Sequence, residues 1–178
     1  MSDSNEKIAV LGLDKAGKTS ILMSLKRDRN LMDFCHLSPT RGINRVQLPD
    51  REEQEKHVLD FGGQAKYREG YLRDFQKYVK GSQKIIFVID VKDWQRYDLA
   101  LDYLREIIEN IQKEELSVEF SIFLHKFDPD LQDEENWKLR EEHIPKLVKD
   151  IEGIIPSKLN HEIFKTTIFT VFDKNSYY

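Results

Sequence analysis

The sequence predicts an α/β fold: a central, mostly parallel six-stranded sheet with helices on both faces. Three observations predict it. Short apolar runs alternate with helical patterns along the chain, the signature of strands joined by helical crossovers. The run KIIFVIDV, Lys84 to Val91, is continuously β-branched and aromatic, which suits a parallel strand covered on both faces. Finally, Ile8-Ala9-Val10-Leu11 leads straight into Gly12-Leu13-Asp14-Lys15-Ala16-Gly17-Lys18-Thr19. That octet fits G-x-x-x-x-G-K-[ST], a turn that needs a strand before it and a helix after it.

The elements follow in order. Lys7 to Leu13 reads as a buried strand, and Ser20 to Lys26 as a helix with Ile21, Leu22 and Leu25 on one side. Asn30 to Gly42, containing Pro39, reads as irregular. Ile43 to Leu48 and Glu55 to Phe61 read as two strands of a hairpin, with Pro49 to Glu53 as its charged, solvated tip. Gly62-Gly63 breaks the second strand, and Lys66 to Lys80 is expected to be helical. After the Lys84 to Val91 strand, Tyr97, Leu101, Leu104, Ile108 and Ile111 recur at helical spacing. Val118 to Leu124 is the fifth strand. Ile144, Leu147, Val148 and Ile151 mark a further helix with Pro145 near its start. Ile163 to Val171 is the last strand-like run. Only polar and aromatic residues remain beyond it, so a missing C-terminal helix is expected, through an early stop or with a partner over that surface.

With 178 residues, a single domain covering 1–178 is expected, long enough for a full core. Charged residues make up 34% with a net charge of −4, which argues against a general nucleic-acid or anionic-membrane binder. Cys35 is the only cysteine, so no internal disulfide forms, and a reducing, cytoplasmic setting is expected. No apolar run is long enough to span a bilayer, and residue 2 is Ser, not a myristoylation Gly. No intrinsic membrane anchor is therefore expected, and recruitment to a membrane would run through partners.

Ligands of parallel sheets sit at the carboxyl ends of the strands, and the chemistry-bearing residues fall there. Asp14, Lys15, Ala16, Gly17, Lys18, Thr19 and Ser20 are the candidate phosphate-contacting residues, through loop N–H groups and the start of the helix. Asp60-Phe61-Gly62-Gly63-Gln64 closes the third strand. Asp60 there can hold Mg²⁺ through water, the Gly63 N–H can approach a γ-phosphate, and Gln64 can orient an attacking water. Thr40, after Pro39, can reach Mg²⁺ once a γ-phosphate is bound. His125-Lys126-Phe127-Asp128 ends the fifth strand. Asp128 can accept hydrogen bonds from guanine N1 and N2, and the Lys126 stem can cover the base plane. Thr166-Thr167 follows the sixth strand, and the Thr167 N–H can donate to guanine O6. Tyr67 and Tyr71 fit either effector contacts or the packing of a helix onto the sheet.

Together these residues resemble the small GTPases of the Ras superfamily, and within it most closely the Arf family, over nearly the whole chain. GLDKAGKT is similar to the Arf phosphate loop, with Asp14 where many relatives carry Gly; LDFGGQ is similar to WDVGGQ, and KIIFVIDVKD to LIFVVDSND. The chain also departs from the pattern. His125 stands where Arf and Ras have Asn, and HKFD is closer to the HKMD of Rag GTPases. The stretch from Gln64 to the fourth strand is slightly longer than in Arf, and the myristoylated amphipathic N-terminal helix of Arf has no counterpart.

The resemblance implies a G-domain that binds GTP or GDP with Mg²⁺. Lys18 would reach the β- and γ-phosphates, Thr19 and Thr40 would hold Mg²⁺ with Asp60 behind a water, and Gln64 would place the hydrolytic water. Gα-type proteins carry an arginine three residues before the switch threonine; Leu37 holds that place here, so slow hydrolysis and a GTPase-activating partner are expected. An exchange factor and effectors are implied as well. The alternative reading is a nucleotide-holding scaffold or Rag-like heterodimer subunit with little or no hydrolysis. A nucleoside kinase or ATPase is disfavoured, because no arginine-rich lid is visible.

Overall fold

Six strands form one sheet in the order β2-β3-β1-β4-β5-β6. The structure is a computed structural model, and it describes residues 6–26, 32–49 and 55–169. The strands are β1 (Lys7–Gly12), β2 (Ile43–Pro49), β3 (Glu55–Phe61), β4 (Lys84–Asp90), β5 (Glu119–His125) and β6 (His161–Lys165). The helices are α1 (Lys18–Ser24), α2 (Met32–Cys35), α3 (Ala65–Arg73), α4 (Phe75–Val79), α5 (Tyr97–Lys113) and α6 (Ile144–Ile154). All neighbouring strands run parallel except β2 and β3, which pair antiparallel from Ile43↔Phe61 to Pro49↔Glu55. The hairpin is therefore as expected, except that Pro49, read as part of the tip, closes the ladder opposite Glu55; the rest of the expected tip, 50–53, lies outside the described residues.

Strand periodicity divides the core in two. Ala9, Leu11, Leu59, Phe61, Ile85, Phe87 and Ile89 face one side and pack against α3 to α6. Val10, Val58 and Val88 face the other side and pack with Val46, Leu48 and Leu22 of α1. All five apolar residues predicted to stripe α5, from Tyr97 to Ile111, are buried, which fixes that helix on the larger core.

Several boundaries differ from expectation, each for a local reason. The first helix opens at Lys18, directly after Gly17, and ends at Ser24, where the Lys26 N–H turns back to the Met23 carbonyl. A single turn, α2, interrupts the segment expected to be irregular. The predicted helix over 66–80 breaks at Asp74 (φ −109°, ψ 32°), and the break lets Phe75 and Val79 enter the same core as Tyr71. A π-helical turn, Leu139–His143, runs directly into α6. The last strand starts at His161 and its ladder ends at Lys165, because Lys126 (φ 63°) turns its partner β5 away. Beyond the ladder the Thr166 N–H donates to the Leu124 carbonyl and the Thr166 carbonyl accepts from the Phe127 N–H; the rest of the expected strand, 170–171, and the tail lie outside the described residues.

Candidate functional site

β1, β3, β4 and β5 end at one edge of the sheet, and β1 lies between β3 and β4, where the order of connections reverses. A cavity of about 460 Å³ opens there. Asp14, Lys15, Gly17, Lys18, Thr19, Ser20, Thr40, Gly63, Gln64 and Lys126 line it, as the sequence suggests. Leu37, Ser38 and Pro39 complete the wall and were not foreseen as lining. Asp60 sits behind the wall. Ala16 does not reach the cavity either; its methyl is buried in the smaller core beside Leu22. Asp128 and Thr167 stand outside the cavity lining, further along the same edge.

The phosphate loop turns through three residues with positive φ, Gly12 (140°), Lys15 (63°) and Gly17 (93°). Lys18 is only 5% exposed, and its ammonium donates to the carbonyls of Gly12 (3.0 Å) and Leu13 (2.6 Å). Burial lowers its pKa to about 8, against the opposing pull of Asp60 and Asp14. The Ile21 N–H closes the first turn of α1 onto the Gly17 carbonyl, so the N–H groups of Lys18, Thr19 and Ser20 lie ahead of the intrahelical ladder.

Oxygen atoms converge beside this lysine. The Thr19 hydroxyl donates to Asp60 Oδ2 at 2.7 Å, the Thr40 hydroxyl reaches the same oxygen at 3.0 Å, and the two hydroxyls are 2.9 Å apart. Asp60 is fully buried, and its Oδ1 has no hydrogen-bond partner among the described residues. A buried carboxylate oxygen without a donor, beside two hydroxyls, is a donor set of the kind a hard cation such as Mg²⁺ takes. No cluster of three His, Cys, Asp or Glu exists among the described residues, so such an ion would rely on these hydroxyls and on its ligand's oxygens.

Backbone packing brings the remaining segments onto this cluster. The Gly62 N–H donates to the Gly42 carbonyl at 2.9 Å, and a Cβ on Gly62 would meet the Thr40 carbonyl oxygen at 2.4 Å. Gly63 lies directly on the phosphate loop: the Asp14 N–H donates to its carbonyl at 3.1 Å. Gln64 caps α3 with extended backbone (φ −67°, ψ 142°), and its carbonyl takes the Tyr67 and Arg68 N–H groups, leaving its side chain at the cavity. Tyr71 is buried edge-on against Phe61 (4.9 Å between ring centres), and Tyr67 stacks on Tyr71. Of the two uses open to these tyrosines, Tyr71 takes the packing one.

The base-side residues carry contacts that the sequence did not reveal. His125 is 3% exposed, and its ring edge lies against Gly17, where a Cβ would meet Nε2 at 2.8 Å; Nδ1 is 3.0 Å from the Thr166 hydroxyl. The histidine thus ties the base loop to the phosphate loop by packing. Burial, with Lys126 beside it, holds its pKa below the ordinary value. The Lys126 ammonium donates to Asp90 Oδ2 at 2.5 Å. Asp128 accepts from the Thr167 hydroxyl and pairs with Lys92 at 2.9 Å. Burial alone would raise its pKa, but the Thr167 and Lys92 donors outweigh burial and hold the carboxyl below its usual range.

Arg96 was also missed. Its guanidinium meets Asp14 Oδ1 at 2.5 Å and Asp93 at 3.3 Å, which fixes the phosphate loop from behind rather than entering the cavity. Among the described residues no arginine lines the cavity, and Leu37 does. Arg41 and Arg45, which follow Thr40, do not line it either.

A sequence model of the ADP-ribosylation factor family matches residues 1–171. The chain is 33% identical over 122 residues to ADP-ribosylation factor-like protein 3 of Caenorhabditis elegans, covering 68% of this chain and 61% of that protein. It is 34% identical over 106 residues to ADP-ribosylation factor-like protein 9 of Homo sapiens, covering 60% and 52%. It is 32% identical over 124 residues to ADP-ribosylation factor F of Dictyostelium discoideum, covering 70% and 60%. The matches thus span about half to three-fifths of these relatives' own length. Among solved structures, the Arl6 BBS3 small GTPase from Trypanosoma brucei, with bound nucleotide analogue GppNp, superimposes with a TM-score of 0.67 at 21% identity, over 91% of this chain and 86% of that one. That likeness shows a shared fold. With the family model spanning nearly the whole sequence and a relative 33% identical over 68% of it, the chain belongs to the ADP-ribosylation factor family, an Arf-like branch of the Ras superfamily of small GTPases.

Proposed function

We propose that this chain is a guanine-nucleotide switch that binds GTP and GDP with Mg²⁺ and hydrolyses GTP slowly. The observation that carries this reading is the meeting of Thr19, Thr40 and Asp60 beside Lys18 at the wall of one cavity. Thr19 comes from the phosphate loop, Thr40 from the segment before β2, and Asp60 from β3. A site assembled from three distant segments responds as a whole to what fills it.

In this reading the Lys18 ammonium exchanges its two carbonyl acceptors for phosphate oxygens. Thr19 and Thr40 offer hydroxyl oxygens to the ion, with Asp60 behind them. Bound Mg²⁺ supplies positive charge opposite the phosphate oxygens. Gln64 orients water at the cavity, and Asp128 selects guanine through N1 and N2. With no arginine among the described residues lining the cavity, charge developing in phosphoryl transfer is poorly met, and a partner's arginine is worth about 10³–10⁵ in rate. A GTPase-activating protein, an exchange factor and effectors are the partners such a switch needs, and a single cysteine suits work in the cytoplasm.

The test begins with the nucleotide that co-purifies, identified by chromatography, followed by single-turnover hydrolysis with and without Mg²⁺. Guanine nucleotide and slow, Mg²⁺-dependent turnover are expected. Gln64→Leu should lower that turnover on the order of 10²-fold. Bound adenine nucleotide, or unchanged turnover in the Gln64 variant, sinks the assignment. The absence of a cavity arginine among the described residues also favours a second reading, a scaffold or Rag-like heterodimer subunit that holds nucleotide. Tight GTP binding with no turnover in any condition would select it.

A further inference from the structure

Lys92, in the turn after β4, has no part in the reading above, yet it touches the residue assigned to choose the base. Its backbone N–H is fixed by Asp90 Oδ1 at 2.9 Å. Its ammonium donates to both carboxylate oxygens of Asp130 at 2.8 Å and lies 2.9 Å from Asp128 Oδ2. The other Asp128 oxygen, Oδ1, is engaged by the Thr167 hydroxyl. Both oxygens that guanine N1–H and N2–H₂ require therefore already carry donors. A carboxylate has room for about four such bonds, so guanine is not shut out. Its strength as an acceptor comes from its charge, however, and an ammonium at 2.9 Å draws on that charge.

We propose that Lys92 is a positioning residue that competes with the guanine edge for the Asp128 carboxylate and so shortens nucleotide retention. The inference rests on the guanine-switch reading. Asp130 moderates the competition, because it holds the same ammonium with two bonds and draws it away from Asp128. The three side chains are each about a third to a half exposed, so their replacement leaves the core intact. Loss of the ammonium and loss of its Asp130 partner therefore have opposite expected effects, which a general loosening of the turn does not produce.

The full chain is loaded with a fluorescent GDP analogue carrying the N-methylanthraniloyl group, and its release into excess GDP is followed by stopped flow. Lys92→Gln should slow release about 2- to 5-fold, the range that exposed ion pairs support. Lys92→Arg, which keeps the charge, should restore the wild-type rate, and Asp130→Asn should speed release. Release from Lys92→Gln as fast as or faster than from wild type overturns the proposal, as does slower release from Asp130→Asn. If neither wild type nor any variant takes up the analogue and adenine nucleotide binds instead, the guanine reading itself fails and the proposal falls with it. Binding with release indifferent to the charge at position 92 overturns the proposal alone.

Discussion

At the scale of single residues, Lys18 is the most consequential group, because it is a buried cation whose hydrogen bonds among the described residues go to two carbonyl oxygens, with the carboxylates of Asp60 and Asp14 acting on it without a direct bond. Burial lowers its pKa to about 8 from an ordinary 10.5. A phosphate group at the cavity favours the charged form and raises the pKa again. The sign follows. Below about pH 8 the lysine is charged with or without phosphate, and it takes up no proton on binding. Above that pH the free site is neutral, so binding must take up a proton, and nucleotide affinity falls as pH rises, by up to about tenfold per unit. Calorimetry in buffers of different ionisation enthalpy should show negligible proton uptake near pH 6.5 and close to one proton per nucleotide near pH 9.5. Uptake that does not change with pH would mean either that the free Lys18 is still charged near pH 9.5 or that it does not meet the phosphate. The motif made this residue legible in the sequence. Its two carbonyl partners were not, because they depend on the path of the loop. Arg96 and Lys92 were equally hidden: their partners Asp14 and Asp128 lie 82 and 36 residues away, and local spacing carries no signal of such pairs.

At the scale of elements, β1 to β5 were readable because each buries one or both faces and so shows its period in the apolar residues, whereas no residue of β6 is buried and its bounds were read less well. The helix ends were less readable. α3 and α4 read as one helix, since the pattern from Lys66 to Lys80 contains no Gly-Pro signal at Asp74 and the break is set by where Phe75 and Val79 must go. The end of β3 is an element boundary with a steric reason. A Cβ on Gly62 would lie 2.4 Å from the Thr40 carbonyl oxygen and 3.0 Å from that of Gly42, and neither can swing away as a side chain would. Gly62→Ala should therefore push the loop before β2 off the end of β3. The expected cost is about 1–3 kcal/mol of stability, the usual range for overpacking, read from denaturant unfolding. Thr40 should separate from Asp60 at the same time, so nucleotide release from this variant should lose its sensitivity to Mg²⁺. A variant of wild-type stability with intact Mg²⁺ sensitivity would show that the contact is dispensable.

At the scale of the whole molecule, the sheet separates two tasks. The larger core, beneath α3 to α6, holds most of the buried apolar side chains, while the site stands on the loops at the strand ends. Leu104→Ala, at a fully buried position of α5, should cost about 2–5 kcal/mol. GDP with Mg²⁺ at 100 times its dissociation constant should add about 2.7 kcal/mol to wild type and variant alike. Unequal increments would show that the core and the site are coupled. The base loop and the phosphate loop, by contrast, are not independent, because His125 fills the space that a side chain on Gly17 would need. They form one jaw with two grips. A nucleotide held by such a jaw cannot loosen its sugar-base end and its phosphate end in separate stages; when the imidazole shifts, both grips slacken together. Dissociation should then look like a single event, and nucleoside and phosphate fragments bound side by side should each strengthen the other's hold.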